Sequence, residues 1–373
     1  MSEPLALYVH WPFCVSKCPY CDFNSHVRET IDQDAWRDAL LADLAHEAAL
    51  LPGRTLTSIF FGGGTPSLMP PATVAALIET AGRHWPLSDN IEITLEANPS
   101  SVEAARFADI ASAGANRVSL GLQAFDDAAL AFLGRAHDAA EGLEALDTAQ
   151  RHFGRVSFDL IYALPGQTEA RWAADLDRAL GLGSEHLSLY QLTIERGTRF
   201  ATLAAQGTLS PLDADEAADL FELTQYRTSA AGLPAYETSN HARPGAESRH
   251  NLTYWRYQDY AGIGPGAHGR RSGIATFRHK KPENWLATIG RNGNGLQSEE
   301  KLSADERATE AIVMGLRLAE GLDLSRHDLQ DRFDWNTVER LQNQGYLSRS
   351  ADRLTVTPAG RCLLDAILRE IVL

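Results

Sequence analysis

Short apolar segments alternate with longer amphipathic segments along the first half of this 373-residue chain. The apolar segments have the length and the residue types of β-strands: Leu5–Val9, Ser58–Phe61, Ile91–Leu95, Arg117–Leu120, Val156–Leu160 and His186–Leu189. The segments between them have helical periodicity: Asp34–Leu50, Pro70–Arg83, Ser100–Ser112, Asp126–Phe132 with Ala140–His152, and Thr168–Leu180. Because helices that connect strands in this order make the strands parallel, the pattern predicts an α/β fold, a partial or full barrel of six β/α units.

Unusual polar residues and glycines follow the predicted strands. The loops at the carboxyl ends of parallel strands meet on one face, and that face carries the active site in β/α barrels. The groups placed there are a cysteine loop, Gly62–Pro66, Glu96–Pro99, Gly121–Gln123, Asp159 and Tyr190–Gln191. The glycine run is either a sharp turn or a place where backbone N–H groups approach a ligand closely. Glu96 and Asp159 are either helix-capping carboxylates or groups that bind ribose hydroxyls or an amino group.

Three of the four cysteines, Cys14, Cys18 and Cys21, lie within eight residues. The spacing C-x3-C-x2-C supplies three ligands, whereas closed zinc and four-thiolate sites need four. We therefore predict an iron–sulfur cluster with one open corner. A zinc knuckle completed by His10 or His26, or a disulfide with a spare thiol, also fits the spacing. The disulfide is disfavoured because the first residues do not resemble a secretory signal peptide.

The fourth cysteine, Cys362, lies in a Leu-rich segment that predicts a helix, where a free thiol acts as a small buried hydrophobe.

The composition and net charge exclude some classes of function. The chain has 34 Lys and Arg against 49 Asp and Glu, a formal charge of −15, which argues against nucleic acid as a partner. No apolar run approaches the roughly 18 residues of a membrane-spanning helix, so we expect a soluble protein without a transmembrane segment.

The cysteine loop, the glycine run and the acidic strand ends together resemble the radical S-adenosylmethionine (radical SAM) superfamily. Further blocks resemble its oxygen-independent coproporphyrinogen III oxidase group, and the resemblance covers nearly the whole chain. These blocks are Tyr8–Cys14 (YVHWPFC), Phe61–Ser67 (FGGGTPS), Leu95–Pro99 (LEANP), Asp159–Thr168 (DLIYALPGQT) and Tyr190–Glu195 (YQLTIE). The implied fold is the partial (β/α)6 barrel of radical SAM proteins.

The resemblance implies a [4Fe-4S] cluster on the three clustered cysteines, whose free iron takes the amino and carboxylate groups of S-adenosylmethionine. Reduction of the cluster would cleave the sulfonium and release a 5′-deoxyadenosyl radical. Positions that match S-adenosylmethionine contacts in the group are Tyr8, Tyr20, Gly63, Gly64, Thr65, Glu96, Gln123, Arg135 and Asp159. Tyr8 and Glu96 belong with the cofactor at the cluster, and Gln123, Arg135 and Asp159 belong with a second S-adenosylmethionine molecule.

Two blocks resemble the haem chaperone branch of the group, HemW. In the dehydrogenase branch a fourth cysteine follows in the pattern C-x2-C-x-C, whereas Asp22 and Phe23 follow Cys21 here. The block His250-Asn-Leu-Thr-Tyr254-Trp255 resembles the H-N-x-x-Y-W signature proposed for haem binding. An imidazole can ligate haem iron axially, and Tyr254 and Trp255 offer flat surfaces for a macrocycle. The alternative is a hydrogen-bonded, partly buried histidine beside core aromatics.

The glycine-rich stretch Gly262–Gly269 contains G-x-G-x-x-G, but Pro265 interrupts it and no strand–helix unit frames it, so we expect a cavity-lining loop to which His268 and Arg270 contribute. Beyond about Gln297 the pattern becomes two helices, two short strands and a closing helix. This pattern predicts a small, mainly helical, winged-helix-like module, which matches the C-terminal domain of the group. The expected division is a radical SAM core at 1–200, a barrel-closing extension at 201–297 and the C-terminal domain at 298–373.

We interpret the chain as a cytoplasmic radical SAM haem chaperone that binds haem as cargo and delivers it to acceptor haemoproteins, including respiratory ones. The cofactors would be the [4Fe-4S] cluster and S-adenosylmethionine. The sequence leaves open whether the cluster-loaded chain forms a homodimer. The competing hypothesis is a coproporphyrinogen III dehydrogenase that decarboxylates propionates through a radical. A radical enzyme with another substrate is a third hypothesis, and the sequence leaves open whether the chain is an enzyme.

Overall fold

A computed structural model describes residues 3–326 and 329–373 of the chain. The fold is built on an eleven-stranded sheet, with a three-stranded sheet and a two-stranded pair beside it. The strands β1–β16 are, in order, Pro4–Trp11, Phe13–Cys14, His26–Val27, Thr55–Gly63, Leu87–Ala97, Arg117–Gln123, Arg155–Tyr162, His186–Gln191, Asn240–Ala242, Tyr260–Ile263, His268–Arg271, Ile274–Arg278, Leu296–Lys301, Leu322–Asp323, Leu347–Ser350 and Arg353–Val356.

The helices lie mostly between consecutive strands. The α-helices α1–α14 are, in order, Gln33–Leu50, Pro71–His84, Ser101–Ala104, Phe107–Ser112, Asp127–Phe132, Ala139–His152, Glu169–Gly181, Arg199–Ala205, Ala214–Ala230, Arg249–Trp255, Pro282–Asn292, Ala304–Gly315, Trp335–Asn343 and Leu364–Ile371. Short 3-10 helices occupy Pro66–Leu68, Leu329–Arg332 and Pro358–Leu363. Of the described helices, none is long and apolar enough to cross a membrane.

The large sheet has the strand order β13-β12-β11-β10-β1-β4-β5-β6-β7-β8-β9. The strands from β10 to β8 in this order are all mutually parallel, and the strands outside them pair antiparallel. No strand pairing joins β13 to β9 among the described residues, so the sheet stays open. The predicted α/β fold with a partial barrel is therefore confirmed.

The parallel strands alternate between an apolar face and a polar face. Leu7, Ile59, Leu95 and Phe158 are fully or nearly fully buried in the main hydrophobic core, which also includes apolar side chains of the surrounding helices. The intervening positions carry polar side chains, including Ser58 and Asp159, which lie on the opposite face of the sheet. Side chains alternate along a strand with period two, so the same strands pack apolar side chains against the helices and present the others to the barrel interior.

Several elements differ from the predictions. The predicted helix Ser100–Ser112 is divided into α3 and α4, because Arg106 N bonds to Glu103 O in a tight turn and the Arg106 guanidinium reaches back to Ser67 O and Met69 O. The parallel strand β10, which pairs with β1, was not predicted. The segment 201–297 was expected to close one side of the barrel, but its strands extend the sheet at both edges.

The C-terminal residues form a second core around α12–α14 and the sheet β14-β16-β15. The small, mainly helical, winged-helix-like module is thus confirmed as a fold. The second core also takes in Tyr257, which precedes β10 in the chain. The predicted burial of Cys362 is wrong: the residue is exposed, because it lies on the outer side of the 3-10 helix Pro358–Leu363. The division at 200 and 297 stays a proposal.

Candidate functional site

The cysteine loop begins at the end of β1 and is fastened to the glycine loop after β4. Gly64 N donates to Trp11 O at 2.7 Å, and Thr65 N donates to Phe13 O at 2.9 Å. A Cβ atom at Gly64 would lie 2.7 Å from Phe13 O, which is closer than real Cβ contacts. The glycine therefore allows the two loops to lie side by side, and a side chain at this position would push the cysteine loop away.

The three clustered thiols are free and half-buried, and each has a hydroxyl or guanidinium neighbour. Thr65 Oγ1 lies 3.4 Å from Cys14 Sγ, Arg135 Nη1 3.5 Å from Cys18 Sγ, and Ser25 Oγ 3.9 Å from Cys21 Sγ. Burial raises the pKa of the Cys14 and Cys21 thiols. Hydrogen bonds to cysteine sulfurs are a usual feature of iron–sulfur sites, so these neighbours fit a cluster.

A zinc knuckle fits this geometry poorly. In the described ranges, no group of three or more His, Cys, Asp or Glu side chains is placed to hold a metal ion. Both ring nitrogens of His10 have partners, Tyr8 Oη and Asn24 O, each at 2.9 Å. His26 Nε2 contacts Asn24 Oδ1 at 3.2 Å. A cubane cluster binds each cysteine through a different iron, so it does not need the sulfurs to converge on one point.

A cavity of about 520 Å³ lies beside the cysteine loop, and we call it the central cavity. Its lining combines residues of β1, β4, β5, α10, β10, β11 and three loops with α12 of the C-terminal module. These residues are Tyr8, His10, Phe23, Asn24, Gly63, Glu96, Tyr254, Trp255, Tyr260, Gly266, His268, Arg270, Lys280 and Met314. The predicted S-adenosylmethionine residues Tyr8, Gly63 and Glu96 thus share one cavity with the predicted haem residues Tyr254 and Trp255. The glycine-rich stretch with His268 and Arg270 also lines it.

Two carboxyl groups stand at the strand ends inside the barrel. Burial, helped by the charge of Asp159, raises the pKa of Glu96 to about 8. Burial also raises the pKa of Asp159 to about 6. Gly63 N donates to Glu96 Oε2 at 3.3 Å, and Ser119 Oγ donates to Asp159 Oδ1 at 3.3 Å. Neither carboxyl caps a helix, and such buried carboxyls favour a cationic ligand, which restores their charged form.

Tyr8 is held by a chain of hydrogen bonds behind the cavity wall. Asn24 O is a carbonyl and accepts from His10 Nε2–H, so His10 Nδ1 carries no proton and accepts from Tyr8 Oη. Burial lowers the pKa of His10 to about 4, which keeps the ring neutral. The Tyr8 hydroxyl therefore donates its hydrogen bond to His10, and its oxygen remains able to accept a hydrogen bond from the cavity. An acceptor at this place suits an ammonium or hydroxyl group of a ligand.

Arg135 joins the cysteine loop to β6 and the loop after β5. Its Nη2 donates to Asn98 Oδ1 at 2.6 Å and to Gly121 O at 3.0 Å, and its Nη1 lies 3.5 Å from Tyr20 Oη. Arg135, Tyr20, Asp159 and Gln123 do not line the central cavity. Gln123 has a left-handed backbone, with φ of 69°, and its buried Oε1 has no hydrogen-bond partner among the described residues. Gln123 instead lines a second cavity of about 250 Å³.

His250 is buried behind the central cavity rather than exposed in it. Its Nδ1 contacts Ser58 Oγ at 3.0 Å and its Nε2 contacts Tyr254 Oη at 2.7 Å. The ring stacks on Phe60 with centroids 4.8 Å apart, and burial lowers the pKa of His250 to about 3. The side chain is therefore a neutral, fully hydrogen-bonded histidine, and neither ring nitrogen is free for iron in this arrangement.

Comparisons with known proteins agree with this architecture. The radical SAM superfamily profile matches residues 8–179, and the HemN C-terminal domain profile matches residues 302–363. The protein named heme chaperone HemW from Escherichia coli K12 is 38% identical over 98% of this chain and 97% of its own length. HemW from Mycobacterium tuberculosis is 37% identical over 100% of this chain and 95% of its own length. This chain belongs to the HemW family of radical SAM proteins.

Eukaryotic proteins are also similar to this chain. The radical S-adenosyl methionine domain-containing protein 1, mitochondrial, from Bos taurus is 39% identical over 100% of this chain and 88% of its own length. The solved structure of coproporphyrinogen III oxidase (HemN) from Escherichia coli superposes with a TM-score of 0.82, covering 99% of this chain and 90% of that chain at 24% identity. This likeness confirms the fold. Membership of the radical SAM superfamily implies a [4Fe-4S] cluster and S-adenosylmethionine, and the thiols and cavity described above fit both.

Three residues of the site in this HemW-family chain, Asn98, Asn24 and Met314, are not among those predicted from the sequence. Asn98 contacts Thr65, Glu103 and Arg135, and its place in the block Leu95–Pro99 was the available signal. Asn24 donates to Pro265 O and Lys280 O, both at 2.9 Å, and so ties the cysteine loop to the far edge of the sheet. Met314 reaches the cavity from the C-terminal module. No local pattern marks the last two, because their contacts are distant in sequence.

Proposed function

We propose that this protein is a haem chaperone that carries a [4Fe-4S] cluster and S-adenosylmethionine, binds haem, and passes the haem to acceptor haemoproteins. The observation that carries the proposal is similarity along the whole chain, at 37–39% identity, to proteins named heme chaperone HemW. The shared central cavity supports it, since cofactor and haem candidates lie on the walls of one space.

Cys14, Cys18 and Cys21 would hold the cluster, leaving one iron for S-adenosylmethionine. When bound, the cluster and S-adenosylmethionine supply a reductively generated 5′-deoxyadenosyl radical. The neighbouring Thr65, Ser25 and Arg135 would stabilise the thiolate charge by hydrogen bonds. The chain's part in this chemistry is to orient the ligand and to shield it from water.

The proposed S-adenosylmethionine contacts form two groups. Tyr8, Gly63, Gly64, Thr65 and Glu96 lie around the cysteine loop, where an acceptor oxygen and a carboxyl suit the amino group of the cofactor. Gln123, Arg135 and Asp159 form the second group, on and beside β6 and β7, and Arg135 contacts Tyr20 of the cysteine loop. The Gln123 amide oxygen, which has no hydrogen-bond partner in the part of the chain that the structure describes, gives the second group a place for a further hydrogen-bond donor.

The competing proposal is the coproporphyrinogen III dehydrogenase. Asp22 and Phe23 after the third cysteine argue for the chaperone, and the exposed Phe23 lines the central cavity. The candidate residues for binding S-adenosylmethionine are all present, so the dehydrogenase hypothesis also needs a test. We further propose a cytoplasmic location, haemoproteins of respiration among the acceptors, and a homodimer of the cluster-loaded chain as a state to be tested by sedimentation.

The deciding experiment uses the anaerobically reconstituted protein loaded with one equivalent of ferric haem. We expect transfer to a respiratory apo-haemoprotein to be at least about tenfold faster than passive loss of haem to an excess of apomyoglobin. Equal rates would contradict the chaperone function. In parallel, incubation with coproporphyrinogen III, S-adenosylmethionine and a reductant is expected to give no protoporphyrinogen, and its formation would establish the enzyme instead.

Matched variants test the cluster assignment in the same preparation. Alanine at Cys14, Cys18 or Cys21 is expected to abolish iron–sulfur absorbance and bound iron. Cys362→Ala is the control, because that thiol is exposed in the C-terminal module and far from the loop in sequence. Loss of the cluster in the control variant would contradict the three-ligand assignment.

A further inference from the structure

Two potential axial ligands lie on the same side of α10, one behind the other. His250 and Tyr254 are four residues apart, so their side chains share one helix face. His250 is 1% exposed, and its two nitrogens contact Ser58 Oγ and Tyr254 Oη. Tyr254 lines the central cavity, and His250 does not. A macrocycle in the cavity would therefore meet the Tyr254 side chain before it met the imidazole of His250.

We propose that Tyr254, rather than His250, is the axial ligand of ferric haem in the central cavity, and that His250 is a positioning residue for its phenolate. This inference rests on the proposed function, in which the chain binds haem. Tyrosinate is one of the few protein ligands of haem iron, and it suits the ferric state because it is anionic.

The ligation step is balanced without any change of oxidation state. The O–H bond of Tyr254 breaks, a bond forms between its Oη and Fe(III), and the proton leaves to water through the open cavity. The negative phenolate offsets the positive charge of the ferric porphyrin centre. His250 then donates Nε2–H to the phenolate oxygen across the existing 2.7 Å contact, while Ser58 Oγ–H donates to Nδ1. The imidazole stays neutral, so no uncompensated charge is buried.

The rest of the cavity suits a porphyrin dianion. Its volume, about 520 Å³, is typical of sites for sizeable ligands. The ring of Tyr260 packs edge-on against Tyr254, with centroids 4.5 Å apart, which fixes the phenol plane. Arg270 and Lys280 lie in the same lining, and Arg270 Nε has no hydrogen-bond partner among the described residues. Lys280 is exposed and is placed to pair with a propionate. Arg270 Nη2 donates to Gln258 O at 2.9 Å and its guanidinium packs on Tyr257, so its Nε is the group it offers to a propionate.

His268 is the rival ligand, because it also lines the cavity and is exposed. Its ring packs edge-on against Phe277, with centroids 4.8 Å apart. Tyr254 has a buried hydrogen-bond partner aimed at its oxygen, which would stabilise the bound phenolate. The three candidates make different predictions for single substitutions.

The test is spectroscopic and uses the full chain, reconstituted anaerobically and titrated with ferric haem. We expect the unmodified protein to show resonance Raman bands of an iron-bound phenolate and a high-spin ferric electron paramagnetic resonance signal. Tyr254→Phe should lose the phenolate bands and weaken haem binding by about tenfold or more. His268→Ala should keep them. Circular dichroism and cluster absorbance confirm that Tyr254→Phe is folded and loaded.

The positioning role of His250 needs a conservative pair of variants. His250→Ala should keep the phenolate bands but shift the iron–oxygen stretching frequency, because the phenolate loses its hydrogen-bond donor. His250→Gln should move that frequency back, because an amide N–H replaces the imidazole N–H. An unshifted frequency in His250→Ala would contradict the positioning role.

The outcomes separate this inference from the proposed function. Haem bound with an imidazole spectrum, or phenolate bands that survive in Tyr254→Phe, would overturn the ligand assignment while haem binding stands. Loss of the native spectrum only in His268→Ala would assign the rival ligand. Absence of saturable haem binding by the unmodified chain would overturn both proposals.

Discussion

At the scale of single residues, the site depends on groups held in unusual protonation states. Burial raises the pKa of both Glu96 and Asp159, and the charge of Asp159 adds to the effect of burial at Glu96. His10 and His250 are kept neutral by burial, and each fixes the hydroxyl of a cavity tyrosine. The two histidines thus act through Tyr8 and Tyr254. In both pairs, a neutral buried histidine fixes the orientation of a tyrosine hydroxyl in the cavity wall.

Glu96→Gln is expected to change the pH dependence of stability in the ligand-free protein. The pKa of Glu96 is raised from 4.5 to about 8, so between these values the folded state holds a proton that the unfolded state releases. Stability therefore falls as the pH rises through this window. The neutral Gln removes the part of this loss that is due to Glu96, while Asp159, whose pKa is raised to about 6, still titrates. The variant should therefore gain about 3 kcal/mol over the unmodified protein at pH 8 relative to pH 5.

Urea unfolding at the two pH values measures this difference. Glu339→Gln is the matched control, because Glu339 is exposed on α13 and its replacement should change stability by less than about 0.5 kcal/mol at either pH. An identical loss of stability between pH 5 and pH 8 in Glu96→Gln and in the unmodified protein would show that Glu96 does not carry the effect.

At the scale of elements, the sequence predicts what is local. The six predicted parallel strands are present, and each could be predicted because its apolar run and the turn residues that bound it lie within one short segment. The strand Tyr260–Ile263 was missed because its pairing with β1 joins residues about 250 positions apart. Likewise, the cysteines and Glu96 were predictable as strand-end residues, whereas the burial of His250 depends on the packing of α10 against β4. Local pattern therefore locates the site, and tertiary contacts decide which atoms face the ligand.

A buried ion-pair network fastens α1 to the edge strands that were not predicted. Arg278 Nε contacts Asp43 Oδ2 at 2.7 Å, and Arg278 Nη2 contacts Glu47 Oε1 at 2.9 Å, with all three side chains buried. Asp43 also accepts from Gly264 N and Gly295 N, each at 3.1 Å. One carboxylate thus links the helix to the glycine-rich loop and to the start of β13.

Arg278→Met is expected to destabilise the protein by about 3–5 kcal/mol, because it leaves the Asp43 carboxylate buried without its cation and leaves Glu47 with Arg271 alone. Thermal or urea unfolding measures the loss. The double variant with Asp43→Asn should recover part of it, since the uncompensated Asp43 charge is removed while Glu47 keeps its pair with Arg271. Arg28→Met is the control: its pair with Glu283 is exposed, and its loss should change stability by less than about 1 kcal/mol. Equal effects of the two Arg variants would contradict the network's role.

At the scale of the whole molecule, the central cavity is shared between two cores. Tyr257 precedes β10 in the chain but packs in the C-terminal core, and its Oη donates to Glu310 Oε2 on α12 at 2.6 Å. The Arg270 guanidinium lies 3.6 Å from the centre of the Tyr257 ring and lines the cavity. A second link, Arg256 with Glu320, has contacts of 2.8 and 2.9 Å. The C-terminal module is therefore joined to the cavity wall through charged and aromatic groups.

Glu310→Ala is expected to loosen the C-terminal module more than the large sheet. The substitution removes the hydrogen bond between Tyr257 Oη and Glu310 and the ion pair of Glu310 with Arg270 at 4.0 Å, which should lower the local free energy of opening by about 1–3 kcal/mol. Hydrogen exchange followed by mass spectrometry resolves this, since amides of α12–α14 should lose protection while those of β4–β7 keep theirs. Glu339→Ala, on the exposed side of α13, should change neither set. An equal loss of protection in both cores would mean that they open as one cooperative unit, so that this link couples them rather than anchoring the module alone.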